Sequence, residues 1–134
     1  MVRVLVLVCM VGCAADADLG HAWTITAVGA SISATKADGS PWDSDGTPPD
    51  PYIKVFVDHV LVATSSQIDD TLEPTWMYTP SPITIGADTE LSFEVLDGDE
   101  FSADTILADC KTTTDGAQQC TGPQATFMYT ITLD

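Results

Sequence analysis

The chain has 134 residues and carries 20 acidic against 4 basic side chains, a formal net charge of −16. Such a surface repels the phosphates of nucleic acids, which are excluded as partners, and it would meet an anionic lipid only through a bound cation. A hydrophobic fraction of 45% at this length supports one domain with its own core and excludes a disordered acidic tail.

The chain opens with Met1-Val2-Arg3 and an apolar run over residues 4–11, the layout of a secretory signal and too short to cross a bilayer as a helix. Met10-Val11-Gly12-Cys13 resembles a bacterial lipobox, in which a small residue precedes the cysteine that takes a lipid. The expected organisation is a lipoprotein-type signal peptide over 1–12, lipidation at Cys13, a flexible tether over 13–21 and a domain over 22–134. This places an exported protein of charge −17, Arg3 having left with the signal, on a lipid anchor at a bacterial cell envelope. An ordinary cleaved signal, giving a secreted soluble protein, is the alternative. Cys9 would leave with the signal and Cys13 would carry the lipid, so Cys110 and Cys120 remain as a pair. With only His21 and His59 as histidines, a disulfide in an oxidising compartment fits the pair better than a zinc site does.

Residues 23–32 alternate as a strand, with Trp23, Ile25 and Ala27 on one face and Thr24, Thr26 and Val28 on the other. Residues 35–51 form an acidic loop, in which Pro48, Pro49 and Pro51 remove backbone donors and force extended geometry. A strand over 52–57, a turn at Asp58-His59 and a strand over 60–64 read as a hairpin. After a polar connection over 68–74, residues 75–85 are strand-like but broken by Pro80 and Pro82, which suits an edge. The pattern over 89–96 is the cleanest strand. A second acidic loop, residues 105–111 and a loop reaching Gln124 follow it. Residues 125–133 close the chain, with Phe127, Tyr129, Ile131 and Leu133 facing inward. Short alternating runs without a helical period indicate an all-β, antiparallel sandwich.

The carboxylates cluster. Asp43, Asp45 and Asp50 lie on the first acidic loop, and Asp97, Asp99 and Asp104 on or after the second. Brought together, these groups make an oxygen-rich site for a hard divalent cation, with calcium the best match. Carboxylates about 5 Å apart repel by roughly 3 kcal/mol per pair at an effective dielectric of 20. An enzyme such as a carboxylate-pair hydrolase lacks support, because no general-acid partner, nucleophile–histidine arrangement or phosphate loop accompanies these acids. No small-molecule substrate is expected.

Three stretches, in order, resemble the C2 domain, a calcium-dependent phospholipid-binding module. Asp43-Ser44-Asp45-Gly46 with Asp50-Pro51-Tyr52-Ile53-Lys54-Val55 looks like the family's first calcium loop and the strand it feeds. Thr71-Leu72-Glu73-Pro74-Thr75-Trp76 is similar to its Thr-Leu-x-Pro-x-Trp signature, with Glu73 where asparagine is usual. Val95-Leu96-Asp97-Gly98-Asp99-Glu100-Phe101-Ser102 looks like its third loop. The resemblance implies an eight-stranded antiparallel Greek-key sandwich, in the permuted topology of phospholipase-type members, with Ca2+ held between loops at one end. It implies Asp43, Asp50, Asp97 and Asp99 as ligands, with Asp45 competing with Asp43 for one role. The family's last aspartate falls on Thr105, one place after Asp104. Trp42 and Phe101 stand near the loop tips and would dip into a bilayer interface, Trp42 alternatively covering the end of the sheet. The function implied is calcium-mediated association with a phospholipid membrane. A metal-free domain binding a protein partner is the alternative.

Overall fold

The computed structural model describes residues 21–80, 82–86, 89–99, 103–112 and 116–133. The expected signal peptide, Cys13 and all of the tether except His21 lie outside these residues, as does Phe101. All regular structure among the described residues is strand. In chain order the strands are β1 (His21–Ile32), β2 (Pro51–Val57), β3 (Val60–Thr64), β4 (Thr75–Tyr78), β5 (Ile83–Ile85), β6 (Leu91–Gly98), β7 (Ala103–Thr112), β8 (Gly116–Thr121) and β9 (Ala125–Leu133).

They form two antiparallel sheets, one in the order β4-β1-β9-β8 with β5 also on β1, the other β3-β2-β6-β7. β4 pairs with β1 around Ala27 and Gly29, and β5 pairs with its start at residues 21–23. Both lie on the edge of β1 away from β9, so nine strands fill eight positions, four in each sheet. Pro80 and Pro82 fall between β4 and β5. On that outer edge their missing N–H groups cost no ladder bond.

Alternation buries Ile53 and Val55 of β2, Leu91, Phe93 and Val95 of β6, and Phe127, Tyr129 and Ile131 of β9. Rings from the two sheets meet in the middle: Phe93 lies 5.5 Å from Phe127 and 4.8 Å from Tyr129, centroid to centroid. The hairpin of β2 and β3 turns at Asp58 and His59, with φ of 49° and 66°. Those left-handed values match the right-handed twist of the flanking strands.

Strict alternation fails within β1. A bulge between Ala27 and Gly29 resets the register, so Ile25 and Ala27 face inward before it and Ala30 and Ile32 after it. Glycine is required there: a Cβ on Gly29 would stand 2.6 Å from the carbonyl oxygen of Pro74, which accepts a hydrogen bond from the Ala30 N–H at 3.1 Å.

Strand boundaries differ from the sequence reading at several places: β1 begins at His21, inside the expected tether, and β7 at Ala103 rather than at 105. Residues expected to be loop contain β8, because Gly116–Thr121 has no apolar alternation and owes its strand geometry to backbone pairing with β9. β6 runs on through Asp97 and Gly98, past the expected end at Leu96.

Cys110 and Cys120 form the expected disulfide, with a Cα–Cα distance of 5.7 Å. Cys110 is on β7 and Cys120 on β8, the last strands of the two sheets. The bond therefore joins the sheets at one edge of the sandwich. Its sequence separation of 10 corresponds to about 2–3 kcal/mol of loop-closure stabilisation. Thermal melts of the reduced protein should fall below those of the oxidised protein by roughly 10 °C.

Candidate metal centre

Three backbone segments carry the carboxylates to one end of the sandwich. The first is the loop ahead of β2. Gly46, at φ 84°, closes a turn by donating its N–H to the Asp43 carbonyl at 3.0 Å. The next residue, Thr47, donates its N–H at 3.0 Å and its hydroxyl at 2.7 Å to Asp45 Oδ1, and the same hydroxyl lies 3.1 Å from Asp43 Oδ2. These bonds turn Asp45 back onto its own loop and hold its carboxyl below the usual range.

The second segment follows β3. Ser65 N–H donates to the Ile53 carbonyl, Ile68 N–H to that of Pro51 and Thr71 N–H to that of Pro49. Residues 65–71 thus run alongside 49–53 and bring Asp70, at φ 49°, beside Asp50. The Asp70 N–H donates to Asp50 Oδ1 at 2.7 Å and Gln67 Nε2 lies 3.4 Å from Asp50 Oδ2, which orients that carboxylate.

The third segment is the end of β6. The β2–β6 register sets Asp97 opposite Pro51. Asp50 N–H donates to Asp97 Oδ1 at 2.8 Å, and Gly98 N–H to the Asp50 carbonyl at 3.0 Å. Asp97 is fully buried, and its Oδ2 has no hydrogen-bond partner among the described residues. Burial pushes its carboxyl above the usual range; the bond from Asp50 N–H opposes this, and the charges of Asp43, Asp50 and Asp104 add to it. Asp43 is raised as well, chiefly by burial and then by the neighbouring Asp99 carboxyl, against the Thr47 hydroxyl, which lowers it.

One carboxylate oxygen each from Asp43, Asp50 and Asp70 lie within 4.8 Å of one another, and the same holds for Asp43, Asp97 and Asp99. Asp43 is common to both groups. Asp45 and Asp104 belong to neither, although both line the same cavity. Asp104 sits across the β6–β7 ladder from Asp97, but its carboxylate is ion-paired with Lys36 Nζ. Thr105 stands opposite Leu96.

Trp42 is placed differently from the expected membrane tip. It is 4% exposed and part of the core cluster, with its indole Nε1–H donating to the Ser33 carbonyl at 2.8 Å. It covers the sheet end, because burying the ring and satisfying its N–H together favour the interior. Asp70 and Lys36 were not singled out by the sequence. The pair Asp69-Asp70 just ahead of the Thr-Leu-x-Pro-x-Trp stretch was the available signal for Asp70; for Lys36 there was none, its partner Asp104 being 68 residues away.

Burial of the half-satisfied Asp97 carboxyl destabilises the metal-free fold. A carboxyl raised in the folded state is penalised above its folded pKa and relieved as pH falls toward the ordinary value of 3.8. Asp97→Asn in EDTA at pH 7 should therefore melt higher than wild type by roughly 4 °C, the equivalent of about 1 kcal/mol. The gap should close on acidification toward pH 4, followed by thermal melts across pH.

The sequence model of the family described as "C2 domain" matches residues 30–130. Among solved structures, one described as a C2 domain is 21% identical, with a TM-score of 0.65, covering 85% of this chain and 98% of its own. Human GIVD cytosolic phospholipase A2 is 13% identical at a TM-score of 0.66, and the match spans 85% of this chain but 17% of the phospholipase. The calcium-bound tandem C2 domains of extended-synaptotagmin 2 are 16% identical at 0.65, covering 85% of this chain and 45% of that one. At these identities the structural likeness establishes the fold. No curated protein sequence matches the chain. With the family pattern covering most of its length and the two-sheet antiparallel sandwich agreeing with that architecture, the chain belongs to the C2 domain family.

Proposed function

We propose that this C2 domain binds calcium between its two acidic loops and through it associates with phospholipid membranes. The observation that carries the reading is Asp97 Oδ2, a fully buried carboxylate oxygen without a hydrogen-bond partner among the described residues, on a side chain grouped with Asp43 and Asp99, which line the acidic cavity. A buried anionic oxygen left unpaired is costly unless a cation completes it. The donor set is oxygen only, and all of it but Asp97 stands on loops, which suits the irregular coordination that calcium accepts and magnesium resists.

In this reading Asp43 is the shared ligand, Asp97 the rigid one, and Asp50 the one whose orientation is set by the Asp70 N–H. Asp70 and Asp99 close the site from the flanking segments. Bound calcium supplies the positive charge that a surface of −16 lacks for an anionic headgroup. Phe101, beside the second acidic loop in the sequence, is the residue assigned to the bilayer interface. The domain acts by binding, without catalysis. The Cys110–Cys120 disulfide supports an exported protein, and we assign residues 1–12 as its signal and Cys13 as its lipid anchor at the envelope.

The Lys36–Asp104 ion pair favours a second reading, a metal-free domain that binds a protein. The edge strand β3 would serve it, since Val60, Leu61 and Val62 are 63%, 47% and 47% exposed.

Calcium titration and vesicle sedimentation decide between the two. Calcium at about 100 times its Kd should add about 2.7 kcal/mol and raise the melting temperature by roughly 10 °C, without an equal effect from magnesium. Asp43→Asn should abolish the shift, and Asp70→Asn should weaken calcium binding about tenfold in calorimetry. Vesicles of phosphatidylserine and phosphatidylcholine should sediment the protein with calcium and release it in EDTA. No calcium-dependent shift and no sedimentation would leave the metal-free reading.

A further inference from the structure

Lys36 is a scaffolded residue. Its N–H donates to the Ser40 carbonyl at 2.9 Å, and its own carbonyl accepts from Gly39 N–H at 2.9 Å, closing a small turn. The neighbouring Ala37 N–H donates to Gln124 Oε1 at 2.7 Å, while Gln124 Nε2 donates to the carbonyls of Thr105 and Ile106. The turn is therefore tied to β7, the strand that carries Asp104. From it the lysine stem reaches the acidic cavity, where Nζ is bound to Asp104 Oδ2 and stands 5.9 Å from the centroid of the buried Trp42 ring. The negative charges of Asp97 and Asp99 act on the same ammonium.

Asp104 faces Asp97 across the β6–β7 ladder, and Asp99 follows Asp97 two residues later. Asp99 and Asp104 both line the acidic cavity, and the cation already seated on Asp104 belongs to the chain. We propose that Lys36 is a built-in cation that occupies the Asp104 side of the cavity and excludes a divalent ion from it, so that it sets how many calcium ions the domain takes. The inference rests on the calcium reading above and concerns the regulation of that site. A tethered ammonium a few ångströms from a divalent ion repels it, and Asp104 engaged by Nζ has lost an oxygen that a metal would need. Calcium is thereby confined to the carboxylates around Asp43.

Isothermal calorimetry with calcium chloride on the full chain tests this through stoichiometry. Lys36→Met should take one calcium ion more than wild type, Lys36→Arg the same number as wild type, and Lys36→Met with Asp104→Asn should return to the wild-type number. Asp104→Asn alone should lose no ion. Should Lys36→Met fail to fold by circular dichroism, Lys36→Gln provides the same neutralisation. The proposal is overturned if the neutral variants take no more calcium than wild type, or if Asp104→Asn alone loses an ion. Calcium uptake by the neutral variant but not by wild type would uphold the lysine proposal while refuting calcium binding by the native chain. Uptake by wild type without an extra ion in the variant would do the reverse, and uptake by neither would refute both.

Discussion

The Asp50 N–H donates to a buried oxygen of Asp97, and the N–H of Gly98 returns a bond to the Asp50 carbonyl. This reciprocal pair locks the entrance of β2 to the exit of β6 and brings two acidic loops, 47 residues apart in sequence, into one cavity. Each close pair of carboxylates costs roughly 3 kcal/mol of repulsion at an effective dielectric of 20. That cost is imposed by the sheet, whose register opposes Pro51 to Asp97 and whose apolar alternation buries Ile53, Val55, Phe93 and Val95. A one-residue slip would expel that whole set from the core, so the acids have no route apart through the ladder.

Local chemistry then sorts the acids by what satisfies their oxygens. Asp45 is satisfied within its own turn by Thr47, and Asp104 by Lys36. Asp50 accepts from the Asp70 backbone at one oxygen and lies near the Gln67 amide at the other, which fixes its direction. Asp97 keeps one oxygen bonded and one orphaned in the interior. Equal residue types thus end with unequal numbers of satisfied oxygens. The ranking follows from burial and hydrogen bonding, since formal charge is the same at each position.

Much of the architecture was legible because strand periodicity and turn chemistry are local. Ile53/Val55/Val57, Leu91/Phe93/Val95 and Phe127/Tyr129/Ile131 each show the two-residue repeat, and Asp58-His59 sits where a tight hairpin turn needs left-handed backbone. β8 was not legible, because Gly116–Thr121 has no repeat of its own and becomes a strand through β9. The bulge at Gly29 was hidden for a similar reason: the carbonyl that excludes a side chain there belongs to Pro74. Trp42 beside the acids could be read as a membrane tip or as a cover for the sheet end, and its place was decided by a pocket and an acceptor, Ser33, that spacing cannot reveal.

The sequence alone determined an all-β sandwich, its acidic character, the cysteine pair, and most of the candidate ligands, since alternation, composition and the order of short motifs are written along the chain. Tertiary structure alone decided that Asp70 joins Asp43 and Asp50, that Asp104 is held by Lys36, and that Asp97 lies buried with an oxygen to spare. The physical reason is that a carboxylate's readiness to take a cation depends on its partners and its exposure. Both are supplied by residues tens of positions away, and only folding brings them within reach.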